Sequence, residues 1–150
     1  VLDIETSLER DAFFEQVGER LEPRLEMDAD EITEALKERE SEGSTALNTE
    51  LAVPHVVIEG EGTFELLLAR CRDGVRFSDE APGVRAVFVL MGTRDERNFY
   101  LYALSAIAQV AGDPRFMDRW MSARGPQGLR DSVVLGERTR RHEDAGGDSG

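Results

Sequence analysis

Apolar positions in the first third of the chain predict a short strand followed by two helices. Residues 1–4 alternate between apolar and polar side chains, which is typical of a strand. We expect Ser7 to cap a first helix that ends before Pro23. Asp28 predicts the start of a second helix that stops at Gly43. The apolar faces of the two helices comprise Leu8, Phe13, Phe14, Val17 and Leu21, then Ile32, Ala35 and Leu36.

The middle of the chain predicts strands. Residues 51–58 are rich in β-branched side chains and are interrupted by Pro54. Residues 64–71 favour a strand, with a helix as the weaker alternative, and residues 74–77 predict a short strand. The unbroken apolar run at 84–91 indicates a strand that is buried on both faces.

The last third predicts helices. Acidic residues at 95–96 suit the start of a long helix, and Gly112 suits its end. Asp113 and Pro114 predict the start of a further helix, which Gly125-Pro126 breaks. Because helices come before, between and after the strands, we expect one layered α/β domain over residues 1–135. The polar, Gly-rich residues 136–150 predict a disordered tail.

Composition excludes several classes of protein. The 150 residues, 40% of them hydrophobic, suit a single domain with a substantial core. No apolar run approaches the ~20 residues that span a bilayer, and no signal peptide is visible, so we expect a cytoplasmic location and no membrane insertion. With one cysteine and two histidines, we expect no disulfide framework, structural zinc, other metal or cofactor. A start at Val1 rather than Met indicates a processed protein or a domain of a longer one.

Negative charge is concentrated in the first half of the chain. The net charge is −13, and residues 1–62 hold 18 acidic against 5 basic side chains. This balance argues against binding to nucleic acid or to an anionic membrane. It is typical of an acid-rich solvated surface, and a face that steers a basic partner protein is the functional alternative.

The candidate chemistry is at His55. This histidine follows Pro54 within an otherwise apolar stretch, where a hydrogen-bonded structural histidine is the default interpretation. Arg39, Ser44 and Thr45 precede it and would supply a guanidinium and two hydroxyls. A neutral imidazole can attack a phosphoryl group, and such donors can then hold the phosphoryl oxygens. The combination favours a phosphoryl-accepting histidine.

Residues 39–55 carry a resemblance to a known family. The stretch combines an Arg-acid pair, a Ser/Thr turn and the ending Leu-Ala-Val-Pro-His. It resembles the type-2 enzyme IIA domains of the bacterial phosphotransferase system, of the fructose/mannitol and nitrogen-regulatory type. Residues 97–104 and 113–120 fit the C-terminal half of that family, so the resemblance extends over roughly residues 1–135.

The resemblance implies a single α/β domain with a mixed central sheet flanked by helices on both faces. It also implies that His55 accepts a phosphoryl group from a phosphorylated HPr-like carrier protein, with Arg39 facing the phosphate. The chain departs from the family pattern at Asn48 and Val56, where smaller residues are usual. Tyr100 stands where many relatives have a second histidine, and it either donates to the phosphate or only packs.

Two functions follow. In the first, His55 carries a phosphoryl group in a regulatory role, with support from Arg39, Ser44, Thr45 and Tyr100. In the alternative, phosphotransfer is lost and the domain is a cytoplasmic sensor or interaction module, attached to a membrane transporter and binding a small anion or nucleotide. A buried structural His55 in an α/β scaffold remains as a third interpretation.

Overall fold

A computed structural model describes residues 1–133 of the protein. The disordered tail expected at 136–150 and the last two residues of the predicted domain lie outside the described residues. The elements, in chain order, are β1 (Leu2–Ile4), β2 (Leu8–Glu9), α1 (Arg10–Leu25), α2 (Ala29–Glu42), β3 (Leu51–Ala52), β4 (His55–Ile58), β5 (Phe64–Arg76), β6 (Val84–Thr93), a 3-10 turn (Arg94–Glu96), α3 (Arg97–Ala111) and α4 (Phe116–Ser122). Residues 125–133 are also helical.

The sheet is mixed, as expected. Its order is β1-β5-β6-β3, with β2 continuing beside β5 and β4 continuing beside β6. The central β5 and β6 are antiparallel, whereas the four outer strands run parallel to the neighbours they pair with. A six-stranded mixed sheet between helices confirms the α/β fold class.

Two apolar clusters pack on opposite faces of the sheet. The side chains of β6 alternate between them: Val87, Val89 and Met91 face the cluster formed with α1 and α2, and Phe88 and Leu90 face the cluster formed with α3 and α4. All five are fully buried, which confirms the prediction of a strand covered on both faces.

The first helix departs from its predicted limits at both ends. Leu8 and Glu9 pair with Val75 and Arg76 of β5, so α1 begins only at Arg10 and Ser7 does not cap it. Pro23 lies inside α1 rather than beyond it. The proline removes one helical hydrogen bond, but Leu25 is buried in the core and keeps the last turn helical. Tertiary pairing and burial outweigh the local signals here.

The second helix begins and ends as predicted. The Asp28 carboxylate accepts a hydrogen bond from the backbone N–H of Asp30 at 3.1 Å, and Gly43 is the C-cap. Pro54 divides the next predicted strand into β3 and β4. The two strands predicted at 64–71 and 74–77 are parts of β5, joined across an irregularity in the ladder between Arg70 and Val75.

The C-terminal part differs from the prediction at Asp113 and after Gly125. The Asp113 carboxylate accepts from the backbone N–H of Arg115 and from the Arg119 guanidinium, both at 2.9 Å, so it shapes a turn, and α4 starts at Phe116. Gly125, with φ of 66°, begins a further helical segment that the sequence did not predict. Leu129 of that segment is fully buried.

Candidate functional site

His55 lies at the start of β4, directly after the break that Pro54 makes in the sheet. Ala52 pairs with Val87 and His55 with Leu90, so both sides of the break are held by β6. His55 is half-buried, and its register places it on the face of the sheet where Leu90 contacts the α3 cluster. The short strands on either side of the proline therefore hold the imidazole at a defined position.

One nitrogen of the His55 ring is engaged by the protein. Nδ1 lies 2.8 Å from the carbonyl oxygen of Val53, two residues earlier. A carbonyl oxygen only accepts, so this contact assigns the proton to Nδ1 and the free lone pair to Nε2. Among residues 1–133, Nε2 has no hydrogen-bond partner. In the neutral form of the imidazole, Nε2 is therefore the nitrogen available as a nucleophile.

A buried carboxylate ties the loop before His55 to the end of α2. The Glu40 carboxylate accepts hydrogen bonds from the backbone N–H of Thr45 at 3.0 Å and from its hydroxyl at 2.7 Å. Both residues are buried, at 7% and 5% exposure. The carbonyl oxygen of Thr45 then accepts from the backbone N–H of Val53 at 2.9 Å. The Thr45 hydroxyl is accordingly engaged within the protein.

Arg39 and Ser44 are more accessible than Thr45. The half-buried Arg39 donates from one guanidinium nitrogen to the carbonyl oxygen of Gly43 at 3.1 Å. Ser44 is exposed, and its hydroxyl oxygen accepts from the backbone N–H of Ala46 at 3.2 Å. No hydrogen bond joins Arg39 to His55 within the described part of the chain. The hydrogen bonds that lead from the end of α2 to His55 run through Glu40, Thr45 and Val53.

Tyr100 lies in the first turns of α3, and its side chain reaches β4. Its hydroxyl donates to the carbonyl oxygen of Val56, and the carbonyl oxygen of Gly92 lies 3.2 Å away. Burial raises the pKa of the Tyr100 phenol to about 12. The side chain is 7% exposed and packs edge-on against Phe64. Tyr100 is therefore neutral and bridges the carbonyls of two adjacent strands.

The other two departures from the family pattern have structural roles. Asn48 accepts from the backbone N–H groups of Glu50 and Leu51 at 2.8 and 2.9 Å, which shapes the turn into β3. Val56 packs against the core on the side of α1 and α2. Its side chain therefore points to the opposite face from that of His55.

The sequence pattern did not predict the contributions of Glu40 and of the Val53 carbonyl. The position of Glu40 could have indicated a role, because a carboxylate in the last turn of a helix interacts unfavourably with the helix dipole unless other contacts offset this cost. The contact between the Val53 carbonyl and His55 could not be predicted, because a backbone oxygen is present at every residue. For metal binding, no group of three or more His, Cys, Asp and Glu side chains converges anywhere in residues 1–133. No helix within that range is long and apolar enough to cross a membrane.

The chain is similar to several solved structures. Nitrogen regulatory protein IIA-Ntr from Neisseria meningitidis matches with a TM-score of 0.79 and 25% identity, covering 88% of this chain and 90% of that one. IIA mannitol from Escherichia coli matches with a TM-score of 0.68 and 17% identity, covering 88% of this chain and 93% of that one. No curated protein sequence gives a significant match.

A complex is among the similar structures. Enzyme IIA mannitol in its complex with phosphorylated enzyme IIB mannitol, also from Escherichia coli, matches with a TM-score of 0.70 and 17% identity, covering 89% of this chain and 92% of that one. At that identity the likeness concerns the fold. The sequence itself matches the family model described as phosphoenolpyruvate-dependent sugar phosphotransferase system, EIIA 2, over residues 3–133. Since that match spans most of the chain, the protein belongs to the EIIA type-2 family of the phosphotransferase system.

Proposed function

We propose that this domain accepts a phosphoryl group on Nε2 of His55 from a phosphorylated HPr-like carrier protein, in a regulatory role. The observation that carries the proposal is the 2.8 Å contact between Nδ1 of His55 and the Val53 carbonyl oxygen. It leaves the nucleophilic lone pair on Nε2, at a half-buried position after Pro54. Family membership supports the same role.

The transfer needs no cofactor or water. The Nε2 lone pair of His55 attacks phosphorus, and a new N–P bond forms. The N–P bond to the donor histidine breaks, and its electron pair returns to the donor imidazole. The proton on Nδ1 stays in place, and the Val53 carbonyl stabilises the positive charge that develops on the His55 ring.

Arg39 and Ser44 are the side chains that we assign to the phosphoryl oxygens. Only one hydrogen bond of the Arg39 guanidinium, that to Gly43, is made within the described residues, and the remaining N–H groups suit a phosphate. Ser44 is exposed and retains its hydroxyl proton for donation. Thr45 and Tyr100 support the site indirectly, since their hydroxyls bind Glu40 and the strand carbonyls.

An apolar patch near His55 supports docking of a protein donor. We define the docking patch as Val57 and Phe99, which are 56% and 58% exposed. Val57 shares the sheet face of His55, and Phe99 stacks on Phe64, which pairs with Gly92 beside Val57. Aromatic and aliphatic side chains at this exposure are typical of protein interfaces. A cytoplasmic location follows from the proposed partner.

The test is phosphorylation by a reconstituted donor system. The protein is incubated with phosphoenolpyruvate, enzyme I and HPr and then measured by intact mass at neutral and acidic pH. We expect one acid-labile phosphoryl group on the wild type and none on His55→Ala. An Arg39→Ala variant should accept phosphate more slowly, whereas Arg94→Ala, which changes an exposed arginine outside the loop, should not. An unlabelled wild type, or equal labelling of His55→Ala, would contradict the proposal.

Tyr100 favours a second candidate, a sensor or interaction module without phosphotransfer. A phenol bound to strand carbonyls supplies no cation where many relatives have a second histidine. In this case Arg39 and the loop that follows α2 bind a small anion or nucleotide, and the domain acts on a membrane transporter. Calorimetry with phosphate and nucleotides on unphosphorylated protein distinguishes the two: binding without labelling favours the sensor, and rapid labelling favours the carrier.

A further inference from the structure

We infer that Glu40 is a positioning residue for His55. It acts through Thr45 and Val53 to hold the imidazole in the tautomer that leaves Nε2 unprotonated. The inference rests on the proposed function for its effect on phosphoryl transfer. Its effect on the tautomer concerns the unphosphorylated protein and is independent of that function.

Hydrogen bonds connect the carboxylate to the imidazole without a gap. Glu40 accepts from the N–H and the hydroxyl of Thr45, which fixes both the backbone and the side chain of that residue. The Thr45 carbonyl accepts from the Val53 N–H at 2.9 Å. The Val53 carbonyl lies 2.8 Å from Nδ1 of His55. Each bond orients the next donor or acceptor in the series.

Val53 has little freedom to point its carbonyl elsewhere. It precedes Pro54, whose ring restricts the backbone of the residue before it to extended geometry. Its N–H is held by Thr45, and the Pro54 carbonyl accepts from the Leu90 N–H at 2.9 Å. The direction of the Val53 carbonyl is therefore set by Pro54, by the pairing of the neighbouring residues with β6 and by Thr45, whose position Glu40 helps to fix.

Helix stability alone does not account for Glu40. Its carboxylate is in the last turn of α2, where the helix dipole disfavours negative charge, and it is 7% exposed. Burying a carboxylate costs free energy that its hydrogen bonds must offset. An uncharged side chain at this position would avoid both costs. The carboxylate thus positions the loop that contains Thr45 and, through this loop, His55.

The experiment compares Glu40→Gln with Glu38→Gln, a matched change at an exposed position of the same helix. Nitrogen NMR of the His55 ring, recorded on unphosphorylated protein, reports the tautomer. In the wild type and Glu38→Gln we expect the Nδ1–H form. In Glu40→Gln we expect both tautomers, because an amide offers one acceptor oxygen where the carboxylate offers two.

Transfer kinetics provide the second readout. Phosphoryl uptake from HPr should fall about tenfold in kcat for Glu40→Gln with KM for the donor unchanged, in line with the effect of partners that orient ligand histidines in metal sites. If Glu40→Gln does not fold, Thr45→Val is used instead, because this change replaces only the hydroxyl of Thr45. Thr45→Ser keeps the hydroxyl and should have the tautomer and the uptake rate of the wild type.

Three outcomes would overturn the inference: a wild-type His55 that is protonated on Nε2, a Glu40→Gln variant with the wild-type tautomer, or a shifted tautomer with unchanged uptake. A wild type that takes up no phosphoryl group contradicts the proposed function instead. The NMR comparison then still decides whether Glu40 positions the ring.

Discussion

Tyr100 donates its hydroxyl proton to the carbonyl oxygen of Val56, the residue that follows His55 in β4. Because the carbonyl oxygen of Gly92 in β6 lies 3.2 Å from the same hydroxyl, one side chain bridges the two strands next to the histidine. A histidine at this position could carry positive charge, whereas this phenol cannot. We interpret Tyr100 as a support for β4 rather than as a phosphate ligand.

Replacing Tyr100 by Phe should therefore affect stability more than transfer. The variant leaves the carbonyls of Val56 and Gly92 without their donor, and we expect a loss of about 1–2 kcal/mol in the free energy of unfolding. The rate of phosphoryl uptake at 20 °C should stay within about twofold of the wild type. Urea denaturation measures the free energy of unfolding, and a labelling time course measures the rate of phosphoryl uptake. A large loss of rate at unchanged stability would mean that the hydroxyl contacts the phosphoryl group.

Phe99 should contribute to donor docking. It is 58% exposed within the docking patch, and a carboxylate there would have to be desolvated on contact with an apolar partner surface. We expect Phe99→Asp to raise KM for phosphorylated HPr by about tenfold, or ~1.4 kcal/mol, with little change in kcat. Ser105→Asp, at an exposed position two turns further along α3, is the control and should leave KM unchanged. Equal KM values for Phe99→Asp and the wild type would mean that the donor docks elsewhere on the protein.

Much of the fold could be predicted from local patterns. The apolar run of β6 and the cap at Asp28 led to the right elements because burial and capping act within a few residues. Ser7 misled because the local signal there competes with a distant partner: Leu8 pairs with Val75 of β5, and a local pattern does not contain such a pairing. Asp113 misled because its carboxylate shapes a turn with Arg115 and Arg119 before α4 begins.

The site divides in the same way. His55 and Arg39 were predicted as site residues from the spacing of Pro54 and the preceding loop, and their roles in transfer stay predictions. The carbonyl contacts of His55 and Tyr100 could not be predicted, since backbone oxygens have no signature in the sequence. The hydroxyl of Thr45 was expected near phosphate and instead binds Glu40. The tertiary structure determines which partner a side chain binds, and the residue type alone does not.

Gly18 should be required for the packing of α1 on α2. A Cβ atom at this position would lie 2.6 Å from the carbonyl oxygen of Ala29 and 2.7 Å from the hydroxyl of Thr33. Because the first of these is backbone, the helices would have to move apart. We expect Gly18→Ala to lower the free energy of unfolding by about 2 kcal/mol. Gly83→Ala, where nothing lies within 4 Å of the added atom, should stay within ~0.5 kcal/mol in the same urea measurement.

Asp3 should make stability depend on acid pH. Hydrogen bonds from the fully buried Arg70, at 2.7 and 3.0 Å, lower the pKa of the Asp3 carboxyl in the folded protein. A lowered pKa stabilises the fold above the unfolded value of ~3.9, and this contribution is lost as pH falls through the folded pKa. Asp3→Asn should therefore cost about 1–2 kcal/mol at pH 7 and progressively less below pH ~4, measured by urea unfolding. Asp73→Asn, at an exposed carboxylate of β5, is the control. A cost for Asp3→Asn that stays constant from pH 7 to pH 3 would contradict the assignment.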